Sequence, residues 1–169
     1  VTWVEIVVDG DEDTLDILGA VSERVDTVDE VFEAIHTSFM AAEESRFDEE
    51  GPGWAPLAES TLQAKAEHGW SDKILQATGQ MMASFINPDA PGHLYTIEAS
   101  PDLTTVEMGS DYHSPSQTGR WAETALAAFP QEGTTKMVAR PIIDDLDTLA
   151  AEWNDLVADW ISGVTTSPS

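Results

Sequence analysis

Arg46 to Ser84 reads RFDEEGPGWAPLAESTLQAKAEHGWSDKILQATGQMMAS, and this stretch decides how the rest of the chain is understood. Gly51, Pro52 and Gly53 form a breaker cluster that ends any helix before them. Trp54, Pro56 and Leu57 then supply a large apolar anchor on stiff chain, because proline fixes its own φ and restricts Ala55 before it. Ser60 and Thr61 are able to cap a backbone, and Leu62 to Glu67 favours helix by propensity. A second loop, His68 to Asp72, leads into Lys73 to Phe85, where Ile74, Leu75, Met81, Met82 and Phe85 carry mixed helical spacing. Thr78 and Gly79 interrupt that segment, which therefore holds either a turn or a helix start. Two readings are open: a loop folded onto its own domain, or an interlocking loop built for assembly. Both order a loop, and neither performs acid–base chemistry.

Outward from this stretch the pattern is α+β. Thr2 to Val8 alternates and is rich in β-branched residues, as in a strand. A turn at Asp9 to Asp13 opens a short helix to about Glu23, and Thr27 with Glu30 matches a capping box. Val28, Val31, Phe32, Ile35 and Phe39 recur at helical spacing, giving a long amphipathic helix to Arg46. After the central stretch, His93 to Ala99 and Thr104 to Met108 alternate around Ser100, Pro101 and Asp102, the pattern of a hairpin. Thr134 to Ala139 reads as a further strand. Asp144 to Ile161 reads as a helix with Leu146, Leu149, Trp153, Leu156, Val157 and Trp160 in one stripe. Trp153 and Trp160 are expected to pack it against the sheet, and Asp144 and Asp145 suit its dipole. The expected architecture is a small antiparallel or mixed sheet packed on a long amphipathic helix and a C-terminal helix, with a long ordered loop segment. One domain covers 1–162, and 163–169 is a flexible tail.

Candidate reactive sites fail one by one. Asp9, Asp11 and Asp13 open like a calcium loop, but Thr14 stands where the loop needs glycine and Ala20 where it needs glutamate. His36, His68, His93 and His113 have no paired metal spacing, and His36 lies beside the apolar face of its helix as a partly buried core residue. Asp144, Asp145 and Asp147 are explained by a solvated helix start. No nucleophile elbow, phosphate loop or dinucleotide fingerprint occurs. The chain has no cysteine, which removes disulfides and thiolate metal sites. No apolar run approaches the roughly 18 residues of a membrane span, and no signal-peptide pattern opens the chain, so synthesis in a cytoplasm is expected. The expectation is no enzyme, no cofactor, no metal and no membrane.

The pattern W-x-P-L-x-x-x-T-x-x-x-K at Trp54 to Lys65, followed by I-L-x-x-T-G-x-M-x-x-S at Ile74 to Ser84, resembles the signature of the phage virion morphogenesis (tail completion) family. Val28 to Arg46 looks like the helix that precedes that signature. Ala139, Arg140 and Pro141 look like the family's C-terminal ARPF element, with Ile142 in place of the usual aromatic residue. The resemblance implies a structural protein of the head–tail joint, or neck, of a tailed virus, completing the tail end or connecting it to the head-side adaptor. It implies a ring of copies of the chain, possibly a hexamer, assembled in the host cytoplasm and resident in the virion. Its partners are then the head-side adaptor or connector and the tail terminator or tail tube proteins, with DNA passing through the channel. The residues that carry the motif and the expected interface are Phe47, Trp54, Pro56, Leu57, Thr61, Lys65, Leu75, Thr78, Gly79, Ser84, Arg140 and Pro141. Trp121, in a long connection read as helical, joins them. Six tryptophans favour partners, since tryptophan is enriched at interface hot spots, and the loop residues Trp54 and Trp70 are the candidates. Readings from other classes are an acidic DNA mimic or other protein-binding module, and a small acidic metal-binding or enzymatic domain.

Charge supplies the second signal. Asp and Glu number 32 against 7 Lys and Arg, a formal net charge of −25, and the acids are spread along the whole chain. The few scattered basic residues argue against sequence-specific nucleic-acid binding, which needs clustered Lys and Arg. Self-repulsion on this scale burdens a compact domain where the Debye length is about 8–10 Å, and largely vanishes at molar salt, where it is about 3 Å. This points to a hypersaline cytoplasm and, with the resemblance, to a tailed virus of a halophilic archaeon. The competing explanations are acids that repel DNA from a channel wall or mimic it. Unfolding followed against KCl concentration separates them. The midpoint is expected to rise from low to molar salt, and a flat response excludes the halophilic reading.

Overall fold

The structure, a computed structural model, describes residues 2–9, 28–51, 53–100, 103–115, 126–134, 137–144 and 146–162, with only the backbone of 2–9 and 161–162. Among the described residues the fold is α+β, with a three-stranded antiparallel sheet and five helices. The strands are β1 (Thr2–Asp9), β2 (His93–Ala99) and β3 (Leu103–Ser110), in the order β1-β3-β2. The helices are α1 (Val28–Asp48), α2 (Glu59–His68), α3 (Gln80–Ile86), α4 (Ala128–Glu132) and α5 (Leu146–Ser162).

Helix α1 organises the rest. Val31, Ile35, Phe39, Glu43 and Phe47 follow one another at intervals of four and are all buried, with Phe32 and His36 beside them. Such a row lies along one face of a helix with 3.6 residues per turn. Both α3 and α5 pack on α1, and α3 also meets β2 and β3. In β3 the alternate residues Val106, Met108 and Ser110 are buried. They pair with Ile97, Tyr95 and His93 of β2, so one face of the hairpin turns toward the helices while Thr96 and Glu98 are exposed. A single core results, running from Phe32 and Phe39 through Phe85 and Met108 to Ile142 and Trp153.

The hairpin and the long helix match the sequence expectation, with α1 continuing to Asp48. The break at Thr78 and Gly79 is a helix start: Gly79, at φ 74°, caps α3, and its carbonyl accepts from the Ala83 N–H. Four expectations need correction. Helix α2 begins earlier, with Ala58 as the N-cap residue and no side-chain cap, so Ser60 and Thr61 lie inside the first turn. Thr134 to Ala139 is not a strand in its described residues; Thr134 and Met137 bond each other's backbone (2.8 and 3.3 Å), and the Thr134 hydroxyl accepts the Met137 N–H. The local turn satisfies the polar groups that a strand would have offered to a neighbour. Helix α5 starts at Leu146 and leaves that residue 42% exposed. It packs mainly on α1, where Trp153 Nε1 donates to Ser38 Oγ (3.2 Å) and Ser38 donates to Glu152 (2.7 Å). The short helix α4 had no counterpart in the sequence reading. The expected helix ending near Glu23, the Thr27 cap, most of the Asp9–Asp13 motif, Trp121 and the 163–169 tail lie outside the described residues, as does the side chain of Trp3. Among the described residues no helix is long and apolar enough to cross a membrane.

Glu43 interrupts the apolar row of α1 with a carboxyl group that is fully buried, and neither of its oxygens has a hydrogen-bond partner among the described residues. The Arg46 guanidinium stands 3.8 Å away, beyond hydrogen-bond reach. Burial pushes the Glu43 pKa up to about 8 and outweighs the pull of Arg46, while the charge of Asp144 adds to the rise. Above the unfolded-state value of about 4.3 the native chain therefore binds the extra proton, and stability falls as pH rises toward and through 8. Between pH ~7 and ~9, at fixed salt, this loss is on the order of 1 kcal/mol, or a few °C in Tm. Glu43→Gln is expected to flatten that decline, as measured by thermal unfolding at the two pH values.

Candidate assembly groove

The chain between α1 and α3 is held by side chains that bond to backbone carbonyls. Helix α1 ends where Glu50 and Gly51 take left-handed backbone (φ 55° and 65°) and the Gly51 N–H reaches Arg46 O (2.8 Å). A Cβ on Gly51 would lie 2.1 Å from the Trp54 ring, so the close approach requires glycine. The Trp54 indole sits edge-on to Phe47, with centroids 6.0 Å apart, and its Nε1 donates to Pro141 O (2.8 Å). Arg140 returns the contact. Its Nε donates to Ala55 O (2.9 Å) and its Nη2 to Pro56 O (3.3 Å), while its own N–H donates to Pro130 O (2.7 Å). Two segments far apart in sequence are thus joined by reciprocal bonds.

The next loop is built the same way. Lys65, buried on α2, donates through Nζ to Ser71 O (2.8 Å) and Lys73 O (2.6 Å). Burial lowers the Lys65 pKa, against the opposing charges of Asp72 and Glu50. Gln76 Nε2 donates to Phe47 O (2.6 Å), and the Ile74 N–H donates to the Glu50 carboxylate (2.9 Å). Leu75 is left-handed at φ 59°, an uncommon conformation for a branched side chain. Ser84 is fully buried: its hydroxyl donates to Met81 O (2.6 Å), and Ser110 Oγ lies 2.6 Å from it, tying α3 to β3. With the Ser84 hydrogen used on Met81, Ser110 is the donor between the two hydroxyls.

These supports shape an open apolar groove of about 600 Å³. Of the residues singled out from sequence, Pro56, Leu57, Thr61, Lys65, Leu75 and Arg140 line it. Met81, Leu126, Phe129, Met137 and Val138 complete its apolar wall, and Val138 is 66% exposed. Phe47, Trp54, Pro141 and Ser84 stand behind the wall as supports, and Thr78 and Gly79 start the helix beneath it. Trp54 is engaged within its own chain, whereas Trp70 is 45% exposed beside the His68 ring.

Sequence reasoning missed one buried acid and two polar supports. Glu43 was legible as the fourth residue after Phe39 and before Phe47. Gln76 and Gln131 carried no signal. Gln131 donates to Ile143 O (2.8 Å) and accepts from the N–H groups of Ile142 and Ile143 (2.8 and 3.0 Å), pinning the chain after Arg140. Such three-way bonding depends on a tertiary approach that no local pattern encodes.

No protein-family model, curated protein or solved structure matches the chain. The resemblance to virion morphogenesis proteins rests on the quoted residues. Trp54→Phe keeps the packing against Phe47 but removes the donor to Pro141, and is expected to cost about 1 kcal/mol in denaturant unfolding. Arg140→Lys replaces the planar guanidinium fork, whose Nε and Nη2 reach two carbonyls, by a single point donor on a different stem, and should cost at least as much.

Proposed function

We propose that this chain is a structural, non-enzymatic protein of the head–tail joint of a tailed virus, a ring-forming module that completes the tail end or connects it to the head-side adaptor. The observation that carries the reading is convergence. The residues that resemble the family signature and those that resemble its C-terminal element bond one another through Trp54, Pro141, Arg140, Ala55 and Pro56, and together they wall one groove. A stiff apolar surface of this kind suits docking better than chemistry.

The groove fits the next copy of the chain. Lys65 and Arg140, two of the seven basic residues in a chain of net charge −25, stand in its wall. An acidic partner is repelled over most of this surface and least at that wall. A contact that joins different faces of successive copies gives a ring where the rotation between them closes, and a filament where it does not.

Light scattering at about 0.1 M and about 3 M KCl, between which the Debye length falls from about 10 Å to below 3 Å, tests the reading. A closed oligomer of defined mass is expected at high salt. Val138→Asp, at an exposed position, is expected to leave the unfolding free energy within about 0.5 kcal/mol of the wild type and to dissociate the oligomer. A monomer under both conditions overturns the self-assembling reading and favours an acidic binding module. An oligomer indifferent to Val138→Asp overturns the role of the groove alone.

A further inference from the structure

On the side of α1 that meets the sheet, His36 is 3% exposed and its Nε2 lies 2.9 Å from Nε2 of His93, the first residue of β2. His93 Nδ1 lies 3.1 Å from Ser84 O on α3, and the Tyr95 ring of β2 stacks on His36 with centroids 3.9 Å apart and planes 4° from parallel. Three elements meet at this pair of rings, which serves none of the groove contacts.

The hydrogen bonds assign the protons. A carbonyl only accepts, so neutral His93 carries its hydrogen on Nδ1 and presents a lone pair at Nε2. His36 must then carry its hydrogen on Nε2 and donate it to His93. One extra proton can be placed on His36 Nδ1 with both bonds intact. A second has no such place, because His93 then holds hydrogens on both nitrogens. Two N–H groups would face each other 2.9 Å apart, each on a positive ring.

We propose that His36 and His93 form an acid-sensitive latch between α1 and the edge strand β2, closed while the pair holds at most one extra proton and open when both rings are charged. The groups facing the latch are the Tyr95 ring from β2, the Ser84 carbonyl from α3, and the Ser110 hydroxyl of β3 through its contact with Ser84. Asp29 and Glu33, on α1 itself, precede His36 by about two turns and one turn on the same face, and their charges help burial push the Tyr95 hydroxyl up to about 12. Burial lowers both histidines. His36 falls to about 4, assisted by the charge of His93, and the Ser84 bond partly offsets the fall of His93. Since an unfolded histidine titrates near 6.5, the unfolded chain binds more protons over this window, and the latch loses stability as pH falls from about 6.5 to about 4.

Nitrogen-15 NMR of the histidine rings and amide hydrogen exchange of the full chain in about 3 M KCl test this, with other charges screened to within a few Å. At pH 7 the expected tautomers are Nδ1–H for His93 and Nε2–H for His36. Between pH ~7 and ~4 the amides of Leu94, Thr96 and Glu98, which the register turns toward β3, should lose at least about tenfold in protection relative to those of α5. His36→Phe keeps a ring against Tyr95, removes the second charge and should shrink that step to what burial of His93 alone contributes. The opposite tautomers at pH 7, or an equal acid step in His36→Phe, overturn the latch. Should His36→Phe fail to fold, the wild-type spectra decide alone: proton uptake by both rings coincident with the loss of β2 protection supports the latch, and uptake without it overturns it.

Discussion

Side-chain donors placed on backbone carbonyls hold this fold together. An ordered loop carries carbonyls that must be satisfied when water is excluded, and here cations satisfy many of them. Arg46 bonds Asp144 O, Lys65 bonds Ser71 O and Lys73 O, and Arg140 bonds Ala55 O and Pro56 O. In a chain with 7 basic residues against 32 acidic ones, these cations are placed where a loop would otherwise be loose. Removing the Arg140–Ala55 contact would loosen the join between the two segments, which the Trp54–Pro141 bond and Gln131 would still hold.

Acidic residues divide into two environments with opposite physics. Those on the surface keep their charge, and salt decides how strongly they repel. Glu43 lies where salt cannot reach, so desolvation decides its state and raises its pKa to about 8. The difference is one of location, since the two kinds of residue are chemically the same. A buried acid beside an arginine at 3.8 Å is not a strong ion pair, because the separation forfeits the hydrogen bond that would offset desolvation.

What could be read from sequence was governed by local repetition. The rows Val31–Ile35–Phe39 in α1 and the alternation of His93 to Ala99 express burial at fixed spacing, and both matched the fold. Trp54 was legible as an apolar anchor on stiff chain, and Lys65 and Arg140 through the family resemblance, yet their bonding to carbonyls was not. Thr134 to Ala139 looked like a strand because β-branched content does not distinguish a paired strand from a turn closed on itself. Gln76, Gln131 and the pairing of His36 with His93 arise from approaches between distant elements, which spacing along the chain does not reveal.

Strand order has a consequence for how the chain acquires its shape. Thr2 pairs with Ser110, while β2 and β3 are joined by a short hairpin. Of the three described strands, β1 is therefore made first and is the last able to find its place, because its neighbour is made about a hundred residues later, some seconds at ordinary synthesis rates. Meanwhile the hairpin and the helix against it can form, since local contacts require little loop closure. Until β1 docks, one edge of β3 presents a full row of unpaired N–H and C=O groups. Where salt leaves that charge unscreened, nascent chains repel one another during that interval, which disfavours pairing of the exposed edge with another copy.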